Sequence, residues 1–342
     1  MLLVWIILSI IVGGMVNVRA ASINITKTTF PETYQIAGIA TSASGQYVIV
    51  PQDQQTRNYG KGYIYHSSDY GATFSKVPSN YPQPYYSLSM TLDGKRAVTT
   101  ASIQYISTNF GTTWTAASLA KEDPNVMRID SKTGQNMGLL YMGDSPCLLL
   151  SKDYGMTFSQ LLGPDVNTSF CETFAMSDDL QTIVVRVDEV GLFTTHDQGK
   201  SWSITYPLTE DMDFAATLVY NPYTGHFWGS QYVVIPEDGI AYVEIGLVKS
   251  TDHGDSWQEV RTRIRAHEGQ FAVSADEQTI LMGTSGEGVY ISLDGGVSFS
   301  QLEGVIDGGY FVAMNAQGTE FYYWGQDDFL YKGIVMKNNE GK

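Results

Sequence analysis

The octapeptide Ser67-Ser-Asp69-Tyr-Gly71-Ala-Thr73-Phe74 decides the fold, because it comes back five more times. The copies are Ser107-Thr-Asn109-Phe-Gly111-Thr-Thr113-Trp114, Ser151-Lys-Asp153-Tyr-Gly155-Met-Thr157-Phe158 and Thr195-His-Asp197-Gln-Gly199-Lys-Ser201-Trp202. Two more follow, Ser250-Thr-Asp252-His-Gly254-Asp-Ser256-Trp257 and Ser292-Leu-Asp294-Gly-Gly296-Val-Ser298-Phe299. All fit Ser/Thr-x-Asp/Asn-x-Gly-x-Ser/Thr-aromatic, with start-to-start spacings of 40, 44, 44, 55 and 42. Self-similarity at that period is the mark of a repeat architecture. The chemistry is that of a tight turn. An Asp or Asn side chain folds back onto nearby backbone N–H groups. The glycine supplies a left-handed backbone, and the aromatic ring plugs the gap between neighbouring sheets. Asp69, Asp153, Asp197, Asp252 and Asp294 are therefore expected to build turns and not to catalyse. Asn109 supports this, since an amide can cap a turn but cannot serve as a catalytic acid.

Between the octapeptides lies a second recurring element, an apolar strand, a polar turn and another strand. Its copies are 39–50, 88–99, 127–140, 174–187, 218–228, 271–282 and 311–324, with turns such as Ser44-Gly45, Asp93-Gly94 and Gln317-Gly318. A third strand follows each hairpin, and the octapeptide turns it into a fourth. Seven hairpins against six octapeptides leave the last unit one strand short. The segment Ile23–Phe30 resembles the other outer strands and is expected to complete it. Closure of this kind removes the exposed sheet edges of an open array. The predicted fold is all-β: a single seven-bladed β-propeller with four-stranded blades over 21–342, the N-terminal strand closing the last blade.

Composition agrees. Of 342 residues 43% are hydrophobic and only 16% charged, with 34 Gly and 22 Tyr, which suits many short strands joined by tight turns. The formal charge of −16 excludes nucleic acid and anionic membrane surfaces as main partners, since both need a basic footprint. Residues 1–20 read as a signal peptide. An apolar run over 2–16 precedes Val18-Arg19-Ala20, with small residues where a signal peptidase reads. Cleavage after Ala20 would leave 322 residues, about 46 per blade, with no membrane span. A secreted or extracytoplasmic glycoprotein is expected. Asn24 and Asn167 head glycosylation triplets, and Cys147 and Cys171, the only cysteines, could form a disulfide in an oxidising compartment.

The octapeptide is similar to the Asp-box, or BNR repeat, and six copies cover nearly all of the chain after residue 20. The resemblance implies a propeller of the kind found in sialidases, xyloglucan-active glucanases, sortilin-type receptors and photosystem II assembly factors. In blade count and size the chain most resembles the last. The sialidase pattern is not met: the region corresponding to its Phe/Tyr-Arg-Ile-Pro motif reads Phe30-Pro31-Glu32-Thr33-Tyr34, and arginines are few.

In such rings, ligands are expected on the face opposite the octapeptide turns. Two long connections, 51–61 and 231–241, are candidate binding loops there. Tyr81, Tyr85 and Tyr86, in a Tyr-Pro segment, would make a stiff aromatic platform or pack against the next blade. Arg261, Arg263 and Arg265 alternate with His267 close behind; they would grip a carboxylate or sulfate, or guard an outer strand. Asp211 and Asp213 lie one connection earlier. They are weak catalytic candidates, a carboxylate pair for glycoside hydrolysis or a solvated acidic loop. No metal-ligand spacing, nucleophile elbow or phosphate-binding loop is present, so no cofactor is expected. The first functional reading is a monomeric, non-enzymatic scaffold binding a protein or carbohydrate ligand. The alternative is a carbohydrate-active enzyme, a glycosidase or a polysaccharide lyase.

Overall fold

The computed structural model describes residues 2–5, 21–31, 35–52, 62–78, 85, 87–101, 103–117, 125–141, 148–161, 171–209, 212–237, 240–266, 269–284, 286–302, 308–325 and 327–337. They form seven antiparallel sheets, and the inner strands contact one another in cyclic order, so the seven blades close into a ring. The inner strands are Ala40–Thr41, Ser87–Met90, Val126–Ile129, Cys171–Met176, Met212–Tyr220, Gly269–Val273 and Gly308–Met314, for blades 1 to 7 in turn. Blades 1 to 6 run outward from their inner strands in chain order, and blade 7 does so for its first three strands. The fold is a seven-bladed β-propeller, as the repeats predict.

The core is split into seven clusters, one in each seam between blades. Phe74 packs into the seam between blades 7 and 1, Trp114 between 1 and 2, and Phe158 between 2 and 3. Trp202, Trp257 and Phe299 do the same for the next three seams. The octapeptide aromatic thus binds its own blade to the preceding one. The seam between blades 6 and 7 has no octapeptide of its own. There the N-terminal strand contributes Ile23, buried beside Val335, Phe321 and Leu281. That strand, Ala21–Lys27, pairs antiparallel with Leu330–Lys337 from Ala21↔Lys337 to Lys27↔Tyr331 and completes blade 7. It ends earlier than the sequence suggests. Phe30 leaves the ladder and is buried edge-on to Phe74 and Tyr65 in the seam of blades 7 and 1. In the full chain Leu2–Trp5 lies antiparallel against the outside of Ala21–Lys27. Residues 6–20 lie outside the described residues, and cleavage after Ala20 remains an expectation.

One face of the ring carries both the octapeptide turns and the turns between first and second strands. The latter are tied blade to blade: Ala43 N–H donates to Leu92 O (2.7 Å), Leu92 N–H to Ser131 O (2.7 Å), and Ser131 N–H to Asp178 Oδ1 (2.7 Å). The belt resumes with Asn221 Nδ2 to Ser274 O (3.1 Å), Ala275 N–H to Ala316 O (2.7 Å) and Ala316 N–H back to Ala43 O (2.9 Å).

The other face corrects the sequence reading. Residues 231–237 and 240–241 are not a loop. They extend the strands Phe227–Glu237 and Ile240–Ser250 into a hairpin of two 11-residue arms. Alternation of apolar residues through Tyr232, Val234 and Tyr242 reads equally well as a long connection or a strand, and pairing decides it. Blade 5 therefore rises above its neighbours, whose second strands have four to six residues. Of 51–61, only Pro51 and Gln52 are described, both in strand pairing.

Candidate ligand-binding site

The octapeptide acids are turn-builders. Ser67 Oγ–H donates to Asp69 Oδ1 at 2.7 Å, Thr73 N–H to Oδ1 at 2.9 Å and Thr73 Oγ1–H to Oδ2 at 2.6 Å, while Gly71 N–H donates to Ser67 Oγ at 2.9 Å. The same set recurs at Asp153, Asp197, Asp252 and Asp294. At Asn109 the Oδ1 bonds persist, and Nδ2 donates to Thr113 Oγ1 at 2.8 Å with the hydroxyl now accepting. Hydrogen bonds from the seventh-position hydroxyl and amide hold Asp69, Asp153 and Asp197 at about 2. Such an acid has no proton to give at neutral pH. Two consecutive residues are left-handed, not the glycine alone: Tyr70, Phe110, Tyr154, Gln198 and His253 have φ of 58–63°. Glycine is still required next, because a Cβ on Gly71 would sit 2.7 Å from the Tyr322 ring of the preceding blade. Asp294→Asn is expected to cost less than about 1 kcal/mol, and Asp294→Ala about 1–2 kcal/mol, by thermal unfolding.

Of the three platform tyrosines only Tyr85 is described, and it takes the packing alternative. Tyr85 is 2% exposed, its ring packed edge-on to Tyr105 in the seam of blades 1 and 2. A Tyr-Pro run marks a stiff segment but not which way its rings turn. Tyr81 and Tyr86 lie outside the described residues. The arginines stand on a strand, Gln258–Arg265, the outermost of blade 5. Its pairing slips between Arg261↔Gly246 and Ile264↔Ile245, leaving Thr262 and Arg263 in a bulge. Arg263 has φ +60°, and its N–H donates to the buried carboxylate of Glu244 at 2.9 Å. Arg263 and Arg265 are exposed on the flank of the raised hairpin, and Thr262 and Ile264 are buried. Asp213 is on the innermost strand of the same blade, paired with Tyr232. Three inter-strand steps, about 14 Å, separate it from the arginine strand. The sequence juxtaposition of Asp213 and the arginines is thus a neighbourhood in the chain but not across the sheet. Asp211 and His267 lie outside the described residues, as do Cys147 and Asn167. Cys171 is buried at the start of blade 4. Asn24 is half-buried within the closing strand, its Oδ1 enclosed.

What the structure does assemble is the central channel. A cavity of about 630 Å³ runs along the inner strands of blades 2 to 5 and reaches blades 1 and 6. Its wall carries Ser87, Ser89, Asn125, Arg128, Glu172 and Gln270 among apolar residues. Val126–Ile129 alternates, with Met127 and Ile129 buried in the seam and Arg128 turned toward the channel. Arg128 Nη1 donates to Met127 O at 3.1 Å, and burial lowers its pKa to about 10, still far above neutrality. In blade 4 a bulge between Cys171 and Thr173 turns Glu172 toward the channel, where it meets the buried Arg186 at 2.5 Å. Glu172→Gln is expected to cost about 1–3 kcal/mol because it takes a negative charge away from a buried guanidinium, and Arg186→Met in the same chain should restore part of that. Denaturant midpoints of the single and double variants would show it.

On the octapeptide face a smaller cavity of about 330 Å³ opens at the seam of blades 4 and 5, beside Asp179, His196, Tyr220, His253 and Asp255. His196 Nε2 lies 2.9 Å from Asp255 Oδ1, an exposed pair that bridges the two blades. Among the described residues, no group of three or more His, Cys, Asp or Glu is placed to hold a metal ion. No helix among them is long and apolar enough to cross a membrane.

No family model matches the chain, and no curated protein matches it by sequence. Solved structures do match in fold. One is YCF48 bound to a D1 peptide, with a TM-score of 0.63 and 13% identity, covering 91% of this chain and 94% of that one. Another is the GH74 xyloglucanase from Xanthomonas campestris, with a TM-score of 0.60 and 14% identity over 92% of this chain. This chain spans only 52% of that enzyme. The Cps50 (Swd1) propeller domain of Myceliophteria thermophila matches with a TM-score of 0.64 and 11% identity, covering 92% and 100%. At these identities the likeness is one of fold.

Proposed function

We propose that this chain is a secreted, non-enzymatic binding scaffold that holds a protein or glycan ligand at the ring face opposite the octapeptide turns. The observation that carries the reading is the polar-walled central cavity, which runs along the inner strands from Asn125, Glu172 and Gln270 to the turns at Leu92, Ser131 and Asp178. Propellers bind ligands at the mouths of such channels because rigid strands fix the floor and variable connections form the rim. The octapeptide face, by contrast, spends its polar side chains on its own turns. That YCF48 has been solved with a peptide bound supports the protein-ligand form of the reading. The GH74 likeness keeps a carbohydrate-active enzyme as the second reading, with Asp213, on the innermost strand of blade 5, as its candidate acid.

Peptide and glycan arrays probed with the chain from Ala21 onward test the two together. Selective retention of a ligand that is recovered chemically unchanged is the expected result. Turnover of a retained glycan, abolished by Asp213→Asn, would overturn the scaffold and establish the enzyme.

A further inference from the structure

We propose that Arg128 anchors a carboxylate-bearing ligand inside the central channel, a ligand otherwise neutral and small enough for a cavity of about 630 Å³. The inference rests on the channel being the ligand site and deepens it to a chemical class. Its basis is a charge that no carboxylate among the described residues matches. The cavity is lined by four ionisable side chains among the described residues, Arg128, Glu172, Asp178 and the phenol of Tyr220. Glu172 is taken by Arg186 at 2.5 Å. Asp178 receives Ser131 N–H at 2.7 Å, Ser131 Oγ–H at 2.8 Å and the Lys132 ammonium at 3.3 Å. Arg128 has one backbone carbonyl at 3.1 Å and no carboxylate among the described residues. Its guanidinium has five N–H donors, so among the described residues most of the fork is left unfilled.

A partly buried guanidinium is costly unless paired, and a bidentate carboxylate is the partner that matches its plane. Burial pulls its pKa down but leaves it fully charged at neutral pH. The chain as a whole carries −16, which repels polyanions at a distance. Recognition through Arg128 is therefore short-range and favours one carboxylate on a neutral body over a sulfated or phosphorylated polymer. A free peptide C-terminus and a uronic acid both present that chemistry. Ser87 and Ser89 on the neighbouring inner strand already accept from Met127 N–H (3.1 Å) and Ile129 N–H (3.3 Å), which fixes the strand that carries Arg128.

The test follows arginine side-chain Nε–Hε resonances of the 15N-labelled chain from Ala21 onward, with acetyl-glycyl-glycine and methyl glucuronide as probes. Their amides are the controls. The Arg128 resonance is the one missing in R128Q. It is expected to shift saturably with a carboxylate probe, with the amide at least about tenfold weaker, and with binding lost in R128Q and kept in R263Q. Saturation by acetyl-glycyl-glycine assigns a peptide terminus, and by the glucuronide a sugar acid. If R128Q does not fold, R128K and the acid–amide ratio decide. An unmoved Arg128 resonance, or equal binding of acid and amide, overturns the anchor. An anchor that fails while an array-selected ligand still protects the channel mouth leaves the scaffold reading intact. A mouth that binds nothing while the resonance moves leaves the anchor without the scaffold.

Discussion

A chain that begins at Thr28 is expected to lose cooperative unfolding, whereas one that begins at Ala21 keeps a single sharp transition. Residues 21–27 supply the whole fourth strand of blade 7, seven paired positions against Leu330–Lys337. They also supply Ile23, 1% exposed, and half-buried Ile25 to the seam of blades 6 and 7. Every other blade meets its predecessor through an octapeptide aromatic, so this seam has no substitute plug. Two isoleucines at about 1.5–3 kcal/mol each, with a strand ladder, add up to the lower edge of a domain's whole stability, about 5 kcal/mol. Removing them also exposes the edge of Leu330–Lys337 to pairing with other chains. Far-UV circular dichroism during urea unfolding separates the two chains. Equal midpoints would show that the ring does not depend on its closing strand.

Glu277→Gln is expected to be the most damaging single carboxylate change, at about 3–4 kcal/mol. Glu277 stands in the first turn of blade 6, 6% exposed, with φ +58°. It receives Lys249 Nζ at 2.6 Å, Thr224 Oγ1–H at 2.7 Å, Trp228 Nε1–H at 3.1 Å and Asn221 Nδ2 at 3.2 Å, with His226 Nδ1 at 3.0 Å. All five come from blade 5, so one carboxylate clasps two blades. Burial alone would raise its pKa; the hydrogen bonds from Lys249, Thr224, His226 and Trp228 overturn that and hold it at about 2. The folded value lies below the unfolded one, near 4.5. The stability it confers is therefore complete above pH 4.5 and drains away as the pH falls toward 2, up to about 3 kcal/mol in all. Wild type and Glu277→Gln should differ most at pH 7 and converge near pH 2–3. A constant difference across that range would mean the carboxylate charge is not what clasps the blades.

The ring is legible in the sequence because turn chemistry repeats. Six octapeptides and seven hairpins fix blade count, and the missing strand of blade 7 points to the N-terminus by subtraction. The clasp of Glu277 is not legible. In the chain it is half of an ordinary Asp-Glu turn, and its five partners lie 28 to 56 residues away. Arg128 and Glu172 are hidden for a different reason. Whether a strand residue faces seam or channel depends on register, and Glu172 reaches the channel through a bulge that no local pattern marks. Tyr85 settles on one side of an alternative the sequence leaves open, since an aromatic run near prolines suits a platform or a seam alike and packing turns this ring inward. Arg263 and Arg265 are exposed on one outer strand, but a bulge interrupts that strand and strand order puts Asp213 on the far side of the blade.

Segregation of the two faces is the claim on which the functional reading stands. A photo-crosslinking amino acid placed at Gln270, on the channel wall, and separately at Met156, 73% exposed on an octapeptide turn, tests it with the array-selected ligand. Cross-links from position 270 and none from position 156 are the expected result. Capture from position 156 alone would put the ligand on the turn face and contradict the reading.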